Sequence, residues 1–420
     1  MTANLTRPTD AGLPPLSGFS GFGRRSPGLS GVGEPNEGAV TLAEAGKHRF
    51  RMPETTDSPS RERKRGNPFR PGPSYVYALS SDGMFHTMLV SNGDDGSPPV
   101  KFLPPNANAH GLIVVDDVAY VATTGGCGGV ANGVWALDLA SKKVVTWKPN
   151  GGGVAGVTGL AIGPEGTIYV ATGEGPNSTT GSSYTVAALE PKTLKQTDSY
   201  TAGSHGFTSS PVVLDYQEKD LLAVATEDGR IHLLSGASLG GADHRTPLHK
   251  TPVYSAASDF APGALATWQD SDGAQWVLAP AAGPLASGVT FPVTNGEVKN
   301  GAILAWKVVE KNGAAALEAG WASRDMVSPA PPIVVNGVVF ALSSGEFRTS
   351  DRSMTAAQRA QLSSPAVLYA LDGATGKVLW ESGNSITSFA HGSGLSAGGS
   401  RVYVGTYDGT LYAFGFPIEH

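Results

Sequence analysis

Apolar and polar positions alternate along this chain in short bursts, and one burst recurs seven times. The copies read YVYALSS from Tyr75, VAYVATT from Val118, TIYVATG from Thr167 and LLAVATE from Leu221. They continue as QWVLAPA from Gln275, VVFALSS from Val338 and RVYVGTY from Arg401. Their starts lie 43, 49, 54, 54, 63 and 63 residues apart. Period-2 patterning in β-branched and aromatic residues makes each copy a strand. A repeat near this length, one supersecondary unit per period, predicts a β-propeller with one blade per copy.

The sequence around each copy fills in the blade. Three copies run into Asp82-Gly83, Asp228-Gly229 and Asp408-Gly409. Asp-Gly suits a type I′ hairpin turn, so the repeated strand is the second of its blade and the third follows the turn. First strands precede it at 112–115, 159–163, 211–216, 264–268, 332–337 and 393–399. The expected fold is all-β: seven four-stranded antiparallel blades, or eight in a longer parent.

The third and outer strands are clearest in AVLYALDGATGKVLWESG, residues 366–383. Ala370, Asp372, Gly376, Lys377 and Trp380 form A-x-D-x-x-x-G-K-x-x-W. Small Ala370 lets neighbouring blades approach, Asp372 and Gly376 shape the turn, and Trp380 covers the seam to the next blade. Partial copies hold Ala136, Asp138 and Trp147, then Ala188 and Glu190, then the segment from 302 to 313 with Trp321 following. The motif resembles the repeat of the pyrroloquinoline quinone (PQQ)-like propellers, the quinoprotein alcohol dehydrogenase-like fold, over roughly residues 75–416.

Residues 1–72 differ from the propeller expected over 73–420. They are rich in Gly, Pro, Ser and Arg, with eleven Lys/Arg against seven Asp/Glu, so +4 against −10 for the remainder of a chain of net −6. Arg61, Arg63, Lys64 and Arg65 form the densest charge. Such a segment buries too little apolar surface to order itself and reads as a disordered basic leader. Two weak strand candidates lie in it, 38–45 and 47–52. The expected ring therefore has one poorly closed seam: the first blade lacks an inner strand and the last an outer one. A longer parent with its own N-terminus is the matching expectation.

Composition narrows the function. Charged residues make up 16% and the net charge is negative, which argues against nucleic acid. No run approaches 18 apolar residues, so no transmembrane segment is expected, and the N-terminus shows no signal-peptide pattern. Cys127 is the one cysteine, so no intramolecular disulfide and no CxxC site exists. It stands in a glycine-rich loop, where a small residue in a tight turn is the simpler reading than a reactive thiol. An insertion from Phe347 to Pro365 carries a short helix expected over 354–361, capped by Ser353 or Asp351.

Candidate chemistry is positional. His110, His205, Asp259, Asp325 and His391 each stand just ahead of a first strand. In a propeller these positions ring the channel mouth, where imidazoles and carboxylates can hold a metal or an anionic ligand. The competing reading is that each caps its own turn. The family resemblance implies a periplasmic or extracellular bacterial protein, and PQQ with Ca²⁺ as possible cofactors. Catalytic quinoproteins of this kind carry a tryptophan floor, an Asp base, oxygen ligands to calcium and often adjacent cysteines. This chain has no adjacent cysteines, no segment aligns with the calcium ligands or base, and Trp268 and Trp276 read as packing residues. The leading expectation is a monomeric, non-catalytic binding or scaffold module whose channel-mouth loops face another protein or a small ligand. The alternative is a quinone-dependent alcohol or sugar dehydrogenase.

Overall fold

The computed structural model describes residues 74–173, 184–203, 205–255, 261–349, 351, 353–392 and 394–415. The leader, with both its strand candidates, and Asp259 lie outside the described residues.

Seven antiparallel blades follow one another along the chain. Each copy of the repeated burst is a strand, including Tyr75–Leu79, Val118–Thr123, Ile168–Gly173 and Val338–Ser343. Blade 2 shows the complete order, Ala109–Val115, Val118–Thr123, Gly133–Asp138 and Val144–Trp147, each strand paired to the next. First strands of successive blades, such as Val212–Tyr216, Ala266–Gln269 and Ile333–Val335, contact one another and form the inner wall. Among the described residues, blade 1 shows Tyr75–Leu79, Met84–Leu89 and Asp95–Lys101. Among the same residues, blade 7 shows Ser396–Gly398, Arg401–Gly405 and Leu411–Gly415.

The core sits between blades rather than within them. Alternate side chains of each strand point to opposite faces of its blade, so each blade has two apolar faces to bury. Six buried clusters result among the described residues. Leu79, Phe85 and Leu112 join blades 1 and 2, and Tyr120, Leu160 and Val170 join blades 2 and 3. Tyr200, Phe207 and Leu234 join blades 3 and 4. Leu233, Val277 and Trp306 join blades 4 and 5, Trp321, Val339 and Leu371 blades 5 and 6, and Leu368, Val402 and Val404 blades 6 and 7. Trp276 and Trp268 pack in the fifth of these seams, as the sequence suggests.

The blade motif works as a lock between neighbours. Asp372 accepts from the Ala374 and Thr375 amides and the Thr375 hydroxyl, which closes the turn before the outer strand. Gly376 stands at φ +69°, and Trp321 of the preceding blade lies on it: a Cβ there meets the indole at 2.3 Å. The Trp321 indole N–H donates to the Gly373 carbonyl at 2.8 Å. Trp380 repeats the move toward blade 7, with its ring 5.6 Å from Phe414.

Two local expectations are corrected. The Asp-Gly turns are not type I′, because only the glycines have positive φ (+82° at Gly83, +72° at Gly229, +82° at Gly409). Gly83 N–H donates to Ser80 O, and Ser80 N–H to Met84 O, so the loop is a type I turn followed by a left-handed glycine. The hydroxyl two residues before the Asp explains the choice. Thr226 donates to Asp228 at 2.6 Å and Thr406 to Asp408 at 2.5 Å, and Ser80 likewise to Asp82. Each bond holds the carboxylate inside the turn. The insertion helix is Ala356–Leu362, and its cap is Thr355, not Ser353 or Asp351. Thr355 and Gln358 form a reciprocal capping box, whereas Asp351 instead holds the amide and hydroxyl of Ser353 in the preceding turn.

These turns yield a paired prediction. A Cβ at Gly83 lies 2.0 Å from the Leu103 carbonyl oxygen, while one at Gly409 meets nothing within 4 Å. Gly409→Ala is expected to cost about 1 kcal/mol from φ alone, and Gly83→Ala at least twice that, about 2–4 kcal/mol. Urea unfolding of both variants measures it, and equal losses would sink the crowding argument.

Candidate functional site

Strands alternate in direction, so the loop entering a first strand and the loop leaving a second strand open on the same face. The four described candidates, His110, His205, Asp325 and His391, stand near that face, and the structure separates them by environment.

His391 is in the most elaborate setting. Its Nδ1 hydrogen-bonds Glu346, which follows the second strand of blade 6. Arg348 Nε lies 3.1 Å from the other Glu346 oxygen. Burial works to raise the Glu346 carboxyl, but the His391 hydrogen bond and the Arg348 charge hold it below the ordinary range. The same hydrogen bond lifts His391 above the usual imidazole value, against the effect of burial. Tyr407 stacks on Phe389 with centroids 4.5 Å apart and meets the His391 ring edge-on at 6.3 Å. Half of Tyr407 remains exposed (51%). Two blades thus share one cluster of a charged triad and an aromatic pair.

The other positions differ. His205 is exposed and lies 3.5 Å from Glu227 of its own blade. Asp325 accepts from the Lys299 amide at 2.8 Å, the Asn300 amide at 2.7 Å and the Asn300 side chain at 2.6 Å, so it ties down the loop ahead of blade 5's third strand. Burial pushes its carboxyl up, and these donors, Asn300 foremost, bring it below the ordinary value. His110 is in the first strand of blade 2, with both ring nitrogens buried and without a hydrogen-bond partner. Burial lowers its pKa to about 4, with the Val157 backbone pulling weakly the other way without reaching hydrogen-bond geometry. His110, His205, Asp325 and His391 are therefore not brought onto one centre. Among the described residues no three His, Cys, Asp or Glu side chains converge closely enough to hold a metal ion. Calcium takes six to eight oxygens at about 2.3–2.6 Å.

One polar network escaped the sequence reading. His232, on the third strand of blade 4, receives the Tyr200 hydroxyl of blade 3 at Nδ1, 2.8 Å away. Its Nε2 is 3.4 Å from Thr226 Oγ1, which donates to Asp228. Burial lowers its pKa to about 4, helped by Lys250. Blade 1 repeats part of it, with His86 Nε2 3.2 Å from Ser80 Oγ. The signal was present: a hydroxyl residue two before Asp-Gly and a His four after that Asp, in both blades.

Residues 364–415, the last repeats, match the family model described as outer membrane protein assembly factor BamB. A comparison with curated proteins gives no match. Among solved structures, the fold is similar to a europium-containing methanol dehydrogenase at 13% identity, covering 81% of this chain and 70% of that one, with a TM-score of 0.50. A quinohemoprotein alcohol dehydrogenase from Comamonas testosteroni aligns at 14% identity over 79% of this chain, with a TM-score of 0.44; the chain spans 61% of its length. The resemblance to PQQ-like propeller repeats holds, and at these identities it speaks for the fold.

Proposed function

We propose that this propeller is a non-catalytic binding or scaffold module that offers the loop face of blades 6 and 7 to another protein or a small ligand. One observation carries the reading: the stacked, half-exposed Tyr407 beside the locked His391–Glu346–Arg348 triad. A rigid exposed aromatic rimmed by held charges is what recognition surfaces use, because little side-chain entropy is lost on contact. The triad spans two blades, so the surface keeps its shape without a ligand. By family resemblance the setting is periplasmic or extracellular, and the unit a monomer.

The quinone-dependent dehydrogenase reading draws on the likeness in fold to the methanol dehydrogenase. Titrating the full chain with pyrroloquinoline quinone and Ca²⁺ into the high-micromolar range separates the two. We expect no saturable cofactor absorbance and no dye reduction with alcohols or sugars. Saturable binding with substrate-dependent dye reduction would overturn the scaffold reading.

A further inference from the structure

The loop face of blades 6 and 7 carries its charge in layers. Glu346 lies underneath, with 13% of its side chain exposed, while Arg348 and His391 stand above it at 43% and 52%. Arg359 of the insertion helix is a further cation that acts on the His391 ring. The carboxylate is therefore sunk and shared between two cations, and the layer that meets solvent is basic. This is the reverse of the surrounding propeller, whose residues 73–420 carry −10. The carboxylates next along the chain, Asp351 and Asp408, are held inside their own turns by Ser353 and Thr406. Apolar side chains flank the basic layer: Tyr407 is 51% exposed and Leu362 57%. Leu362 is placed there by its neighbour Ser363, which accepts from the Phe347 amide beside Glu346. Tyr407 is placed by its amide, which donates to the Phe389 carbonyl.

We infer that this face takes an acidic peptide segment of a partner protein, with an Asp or Glu against His391 and Arg348 and an apolar side chain against Tyr407. The inference rests on the recognition role proposed for blades 6 and 7 and gives that role its chemistry. Charge complementarity sets the sign of the partner, because a carboxylate meets cations here while a basic segment meets them as a like charge. His391 commits Nδ1 to Glu346, so in the protonated ring Nε2–H is the donor that faces a ligand. The apolar flanks set the class. An inorganic anion would use only the cations, whereas a peptide presents a carboxylate and an apolar side chain together and uses both. The charges acting on the ring are Glu346 and Arg348 from the blade 6 loop and Arg359 from the insertion helix, and the Glu346 bond lifts its pKa above the usual imidazole value. A bound carboxylate favours the protonated ring, so affinity is highest below that raised value and falls as pH rises through it.

Selection from a random peptide-display library at pH 6 tests it, with the full chain and its Tyr407→Ala variant as parallel targets. Peptides enriched on the wild type should set Asp or Glu beside an aromatic or aliphatic residue. The best of them, made as a free labelled peptide and followed by fluorescence anisotropy, should bind Tyr407→Ala about tenfold or more weakly. Its affinity for the wild type should fall from pH 6 to pH 8, and the fall should vanish in His391→Gln. Both substituted side chains are about half-exposed, so both variants should keep the wild-type melt. Basic or uncharged winners that still need Tyr407 overturn the acidic partner and leave the recognition face standing. Winners indifferent to Tyr407→Ala, or no enrichment at all, overturn both. A pH dependence that survives His391→Gln overturns the placement of the carboxylate on that ring.

Discussion

Acidifying the protein from pH 7 to pH 4 is expected to remove about 3 kcal/mol of stability for each of two histidines, His232 and His110. Both have a folded pKa near 4, set first by burial, against 6.5 in the unfolded chain. Between those values the unfolded state takes up a proton that the folded state refuses. The stability is therefore fully present above about pH 6.5 and is lost as pH falls toward 4. His391 does not share the effect. Its folded value is raised by Glu346, so its contribution is present below the unfolded value and fades only as pH rises. Urea unfolding at pH 7, 5.5 and 4.5 measures the slope, with His232→Gln and His110→Leu as controls. Gln can keep one bond, to Tyr200 or to Thr226, but does not titrate, so His232→Gln should remove about half of the acid loss that the two histidines cause. His110→Leu should remove the other histidine's share, while the carboxylates held low, Glu346 and Asp325, keep their own loss at the acid end. It should also be no less stable at pH 7, because it deletes two buried nitrogens that have no partner. An unchanged slope in the double variant would place the acid sensitivity elsewhere.

The two histidines also mark where sequence stops speaking. Blade number and strand order were legible, because each follows from patterning within one repeat. The Trp321 and Trp380 locks were legible for the same reason, as a spacing repeated along the chain. The turn type was misjudged because Asp-Gly serves two loop geometries, and the Ser80, Thr226 and Thr406 hydroxyls that select one of them were not weighed. The His and Asp ahead of the first strands were legible only as a pattern along the chain, and the sequence reading stopped there. It could not tell that Asp325 is spent on the Asn300 loop while His391 reaches Glu346 in another blade. Those partners lie 25 and 45 residues away, and nothing local encodes them. His232 was overlooked for a related cause: its first partner, Tyr200, belongs to the preceding blade.

Trp321→Ala is expected to be the most damaging single substitution in the propeller, at about 4–5 kcal/mol. The side chain is fully buried and shares the seam of blades 5 and 6 with Met326, Val339 and Leu371. Its indole lies on Gly376, so truncation opens a cavity against a residue with no side chain to fill it. It also leaves the Gly373 carbonyl without its donor, which accounts for about 1 kcal/mol of the total. Trp321→Phe separates the two contributions, since it keeps most of the buried surface and loses only the hydrogen bond; its cost should be about 1–2 kcal/mol. The half-buried Trp147, whose indole makes a longer 3.3 Å bond to Gln196, should cost clearly less on truncation. In a repeat architecture stability is close to a sum of units and the interfaces between neighbours, so breaking one seam should uncouple blades 6 and 7 before the rest. Hydrogen exchange of Trp321→Ala should then show faster opening in 367–415 than in blades 2 to 4. Uniform opening across all blades, or a loss below about 1 kcal/mol, would mean that the tryptophan lock does not hold the ring together.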